Sequence, residues 1–129
     1  MINPSDLDLS ALLEKLSKLD PRLCDRRNDG YNINGYHESG DRWMIVCLYS
    51  DDLLHELSPK SLAYISAALQ QAIAAHGATV EIRGGAAGWT AWISSSDCEV
   101  SQKATNSETA IALLSAYVQW LEKLKEAKA

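Results

Sequence analysis

Leu9, Leu12, Leu13, Leu16 and Leu19 recur at three- and four-residue steps, and this spacing predicts an amphipathic helix from about Asp6 to Leu19. Ser5 stands where an N-cap would, and Asp6 and Asp8 occupy the first turn, where the helix dipole favours carboxylates. Asp20-Pro21 ends the helix, because a residue before proline avoids the helical region. After a polar stretch from Cys24 to Gly30 the period changes to two. Tyr31–His37 and Arg42–Ser50 read as strands joined by a turn at Glu38-Ser39-Gly40-Asp41. In the second of them Trp43, Ile45, Cys47 and Tyr49 point one way, and Met44, Val46 and Leu48 the other. Both faces are apolar, so this strand should be covered on both sides.

Leu53–Leu57 fits either an edge strand or a helical turn. Ser58-Pro59 then opens a second helix, with serine as N-cap and proline at the first helical position. Leu62, Ile65, Leu69, Ala72, Ile73 and His76 make its inward face, and Gly77 stops it. Ala78–Arg83 and Trp89–Ser95 read as strands linked through Gly84-Gly85-Ala86-Ala87-Gly88, followed by a short strand around Cys98–Gln102. Thr105-Asn106-Ser107-Glu108 has capping-box spacing ahead of a last helix, whose stripe is Ile111, Leu114, Tyr117, Val118, Leu121 and Leu124. The whole predicts one α+β domain of residues 1–129: helix, β-hairpin, helix, β-hairpin or meander, helix, with an antiparallel sheet and helices packed on both faces. Trp43-Met44-Ile45-Val46 and Trp89-Thr90-Ala91-Trp92 each follow a glycine-containing turn and precede a helix, an echo that fits either an old duplication or two ordinary units.

Composition narrows the class without naming a job. The chain has 129 residues, 47% hydrophobic and 22% charged, an ordinary globular mixture able to bury a core. A net charge of −5 steers it away from phosphate backbones, so nucleic acid is not an expected partner. Arg22, Arg26 and Arg27 are interleaved with Asp20, Asp25 and Asp29, as in a solvated loop. No apolar run approaches the roughly 20 residues of a membrane span, and Met1–Asp6 lacks the features of a signal peptide. A cytoplasmic protein is expected, which suits the widely spaced, reduced cysteines Cys24, Cys47 and Cys98.

Candidate chemistry is sparse. His37, His55 and His76 join no metal-binding motif, and neither metal nor cofactor is expected. Asp51-Asp52 and His55-Glu56 lack a second cluster to complete a site. The glycine-rich segment at 84–88 leads into a strand, whereas a phosphate loop opens a helix. Ser94-Ser95-Ser96-Asp97 has no nucleophile elbow around it. No catalytic residue is assigned, and a non-enzymatic protein is expected. The aromatics remain. By alternation Trp92 faces away from Trp89 and Ile93, and Trp120 flanks the last helical stripe beside Tyr117. Trp92, Tyr117 and Trp120 are therefore the candidate partner-binding residues. The competing reading has a helical layer over Trp92, and Trp120 widening the core stripe.

The C-terminal half, with Gly77 ending a helix, Trp89 opening a strand, Ala104-Thr105, and Thr109-Ala110-Ile111-Ala112-Leu113-Leu114, resembles the phage ABA sandwich domain family. The resemblance implies a sheet between helical layers. It also implies a phage or prophage accessory protein that binds and inhibits or modulates a host protein, in an anti-defence role. In element order and charge the chain also resembles the class I type III secretion chaperones, small acidic dimers, which keeps a homodimeric chaperone open as an alternative. A small-molecule-binding protein is a further one.

Overall fold

In the computed structural model, which describes residues 4–36, 42–49, 58–86, 88–95, 102–106 and 109–128, the leucine stripe forms helix α1, Pro4–Leu19. The helix opens on Pro4, a residue suited to a first helical position, so Ser5 lies inside the first turn instead of capping it. Leu9, Leu13 and Leu16 are buried. The Asp20 amide closes the last turn on the Leu16 carbonyl at 2.7 Å, and the Asp20 carbonyl then accepts from the Leu23 and Cys24 amides. That local bonding turns the chain directly into a strand.

The described residues form three helices and six strands, in the α+β class that the periodicities imply. The strands make two antiparallel sheets rather than one. The first holds β1 (Cys24–Arg27), β2 (Gly30–Tyr36) and β3 (Arg42–Tyr49) in sequential order. β1 lies where only a polar stretch was expected. Its partners explain it: Cys24 pairs with Ile33 and Arg26 with Tyr31, so one face of Cys-Asp-Arg-Arg is held against the buried side of β2. Tyr31 in turn faces Leu48 of β3. Cys24, Tyr31, Ile33 and Leu48 are all buried on this face, and α1 lies against β1. Of the two-faced strand, Leu48 is buried and Cys47 is half-buried; the side chains of Trp43–Val46 lie outside those described.

Helix α2, Pro59–Ala75, begins as its sequence dictates. The Ser58 hydroxyl accepts from the Ser61 amide at 3.2 Å, an N-cap bond to the third helical residue. At the far end Gly77 has φ +74°, and its amide donates to the Ala74 carbonyl at 2.9 Å. Nothing lies within 4 Å of a β-carbon placed on Gly77, so only backbone strain opposes a side chain there. Gly77→Ala is expected to lower stability by about 1 kcal/mol, read as a shift in the urea midpoint. A neutral result would mean that the turn relaxes out of the left-handed region.

The second sheet holds β4 (Ala78–Gly85), β5 (Gly88–Ser95) and β6 (Gln102–Asn106), again in sequential order. β6 takes in Thr105 and Asn106, which were expected to cap the last helix. Pairing of Thr105 with Thr90 and of Asn106 with Trp89 extends the strand past them. Helix α3, Thr109–Lys128, lies against β5 and β6. It is buried on every side from Ala110 to Leu121 apart from half-buried Ser115 and Gln119, a wider burial than the expected stripe. The alanines at 110, 112 and 116 make this possible, since small side chains let neighbours approach on more than one side.

The chain divides into two compact units, Met1–Ala68 and Leu69–Ala129, with the division inside α2. After α1 the element order is β-β-β-α, twice. The internal echo therefore exists as an order of elements. Its residue pairing does not follow, because the Trp43 strand is at the edge of its sheet and the Trp89 strand is central.

Candidate functional site

Register separates the two faces of the β4–β5 hairpin. Val80 pairs with Ile93 and Ile82 with Ala91, and Ala91 and Ile93 are wholly buried. The alternate residues form the other face: Thr79 pairs with Ser94, Glu81 with Trp92, and Arg83 with Thr90. Thr79, Glu81, Arg83 and Ser94 are exposed there, while Trp92 and Thr90 are half-buried. The alternation expected for Trp92 is thus found.

What partly covers Trp92 is a cation. The Arg83 guanidinium lies 5.6 Å from the Trp92 ring centroid. The same guanidinium bonds Glu81 Oε1 through Nε at 3.0 Å and through Nη2 at 2.7 Å. Glu81 and Arg83 are two apart on one strand, so they project from the same face, and antiparallel pairing brings Trp92 beside them. The result is an indole plane with a guanidinium over it, bordered by the Thr79 and Ser94 hydroxyls, which lie 3.2 Å apart. Such a face offers a flat apolar surface, a fork of N–H donors and a carboxylate. None of these groups forms a nucleophile–base pair.

Trp89, 39% exposed, closes the hairpin on the opposite face. Its ring lies over Gly84, its cross-strand partner, and a β-carbon at Gly84 would fall 2.6 Å from Trp89 Cζ3. A side chain at position 84 would therefore displace this indole from its place over the strand.

The other two candidate residues are placed differently. Tyr117 is 0% exposed and Trp120 is 1% exposed, so the partial exposure expected of Trp120 is not found. Both lie in the core of their own unit: their rings stack at 6.0 Å, and His76 meets Trp120 edge-on at 5.2 Å. His76, expected on the inward face of α2, is exposed at the helix end. The structure does not bring Trp92 into this aromatic group.

A polar cluster that the sequence did not single out lies in the first unit. Glu14 Oε2 accepts from the Tyr31 hydroxyl at 2.8 Å and from Arg26, and Lys18 stands 3.6 Å from Oε1. The Tyr31 hydrogen bond, opposed by partial desolvation and aided by the Arg26 and Lys18 charges, holds the Glu14 carboxyl below its ordinary value. Burial, with the bond to Glu14 and its charge, pushes the Tyr31 hydroxyl up to about 12. Both shifts lead away from the neutral range where proton transfer is efficient, so the cluster reads as a clasp tying α1 to β1 and β2. No helical signal marks Glu14. Only the pairing of Arg26 with Tyr31 brings its partners together.

Among the described residues no three His, Cys, Asp or Glu side chains are grouped as for a metal ion, and no helix is long and apolar enough to cross a membrane. His37, His55, Asp51-Asp52, Glu56, Cys98, the 96–97 turn and Leu53–Leu57 lie outside the described residues. No family model, characterised protein or solved structure matches the chain.

Proposed function

We propose that this chain is a small non-enzymatic binding protein, a phage or prophage accessory protein that binds a host protein in the host cytosol and inhibits or modulates it. The observation that carries the reading is the open face of β4–β5, where Trp92 lies half-covered by Arg83 among exposed polar residues. Tryptophan and arginine are the residue types that most often dominate binding energy at protein interfaces. Here Arg83 is bonded to Glu81 on the same strand face, so the face presents a carboxylate and a guanidinium side by side beside the indole. The net charge of −5 suits a partner with a basic surface and speeds the encounter with one. The resemblance of the C-terminal half to the phage ABA sandwich family supplies the phage and host part of the reading. Tyr117 and Trp120 support the contact face indirectly, by building the core of the unit that carries it.

Affinity capture with the tagged full chain from a lysate of its own host tests this, with the captured proteins identified by mass spectrometry. One partner recovered near equal stoichiometry is the expected outcome. Recovery of the bait alone would sink the protein-binding reading and return attention to a small ligand.

A further inference from the structure

We infer that the open edge of β4 pairs antiparallel with β4 of a second copy of this chain, so that the two sheets continue one another. β4 lies wholly within the second unit and, among the described residues, has a strand on one side only, β5. The other outer strands carry features that discourage edge pairing. β1 and β6 are short, at four and five residues, and a register shift at Ile33/Asn34 interrupts the ladder between β2 and β3. β4 pairs with β5 through all 8 of its residues without a shift, and it contains no proline. The two-residue connection after Gly85–Gly88 makes that pair one that exchanges both backbone bonds. By alternation Val80, Ile82 and Gly84 direct their N–H and C=O groups away from β5, toward the open edge.

The side chains select what continues the sheet. On the inward face Val80 and Ile82 are half-buried, while their β5 partners Ile93 and Ala91 are wholly buried. Helix α3 lies against β5 and β6, so the apolar layer runs out across β4. Trp89 extends the same layer, since its ring lies over Gly84 and is 39% exposed.

Glu81 and Arg83 are exposed on the outward face. Charges on an edge discourage most strands, but these two are opposite in sign and two residues apart. An antiparallel copy with the two-fold axis at Ile82 sets each Glu81 opposite the other Arg83. An axis at Glu81 would oppose two carboxylates, and one at Arg83 two guanidiniums. The Glu81–Arg83 bond within each strand then becomes one side of a four-group cluster of alternating sign. The same register sets Val80 of each copy opposite Gly84 of the other, against the Trp89 indole above it. Charge and apolar contact choose one alignment, and a face that completes itself in this way fits a second copy. An edge of 8 residues, about 27 Å long, is at the lower end of specific interfaces, so micromolar dissociation is expected. The pairing leaves the Trp92 side of both sheets open and does not depend on the proposed function.

Sedimentation velocity of the full chain over about 5–500 µM tests the inference, with amide hydrogen exchange read at both ends of the range. The parent chain should pass from monomer to dimer. The Val80, Ile82 and Gly84 amides should exchange about tenfold more slowly at the high end. Glu81→Arg opposes like charges and should weaken the dimer at least about tenfold. The position is exposed, so far-UV circular dichroism should be unchanged. Adding Arg83→Glu to that variant exchanges the two charges and should restore the dimer. A parent chain that stays monomeric would overturn the inference. So would a dimer in which the three amides exchange as they do in the monomer. A double variant that dimerises no better than Glu81→Arg would overturn the alignment at Ile82.

Discussion

Replacing Trp120 with alanine is expected to cost about 3–5 kcal/mol of stability, the usual loss for a large aromatic in a packed core. The side chain is 1% exposed and bounded by the rings of Tyr117 and His76. Its Nε1 is buried without a hydrogen-bond partner among the described residues. An unsatisfied buried donor carries a penalty of about 1–3 kcal/mol. Trp120→Phe removes that donor while keeping a ring, so it should cost clearly less than Trp120→Ala. Trp92→Ala, on the open face of β5, should change stability by less than about 1 kcal/mol. Urea unfolding of the three variants provides the check. Equal losses at positions 92 and 120 would contradict the assignment of one to the surface and the other to the core.

The second large effect concerns alkaline pH. Cys24 is wholly buried, with Sγ 3.7 Å from the Leu13 carbonyl. Burial, followed by the charges of Asp25, Asp20 and Glu14, pushes its thiol up from 9.0 to about 12. In the unfolded chain the thiol ionises first, so above pH 9 the unfolded state binds fewer protons than the folded one. Stability is therefore complete below pH 9 and falls as pH rises toward 12, by about 1.4 kcal/mol for each pH unit from this group. Tyr31, raised from 10.0 to about 12, adds to the loss above pH 10. Urea midpoints at several pH values should show a decline that Cys24→Ala flattens, whatever that variant costs at neutral pH. An identical slope in the variant would mean that the thiolate is accommodated in the folded state. In the native state Cys24 should also resist alkylation at neutral pH, where Cys47, half-buried, is more accessible.

The parts of the fold legible in the sequence are those made by chemistry within a few residues. Ser58, Pro59 and Gly77 mark the ends of α2 because a hydroxyl acceptor, a fixed φ and a left-handed turn are local demands. The alternation that separates Trp92 from Ile93 is equally local. β1 was hidden because nothing in Cys-Asp-Arg-Arg favours a strand; its existence comes from pairing with β2 and from the clasp at Glu14. β6 overrode the capping signal at Thr105 for a similar reason, since β5 offers that segment ladder partners. The depth of Trp120 was illegible because alanines at 110, 112 and 116 carry little periodic signal, yet they let α3 be covered on more than one side. At the candidate site the tryptophan was legible and its companions were not. Arg83 and Glu81 reach Trp92 only through the register of the hairpin.

The most direct test of the binding account is capture of the lysate partner by Trp92→Ala beside the parent chain, with the urea midpoint of each determined. The account predicts capture lost, or weakened at least about tenfold, at nearly unchanged stability. Capture at full strength by a well-folded Trp92→Ala chain would contradict it and remove the β4–β5 face as the contact surface.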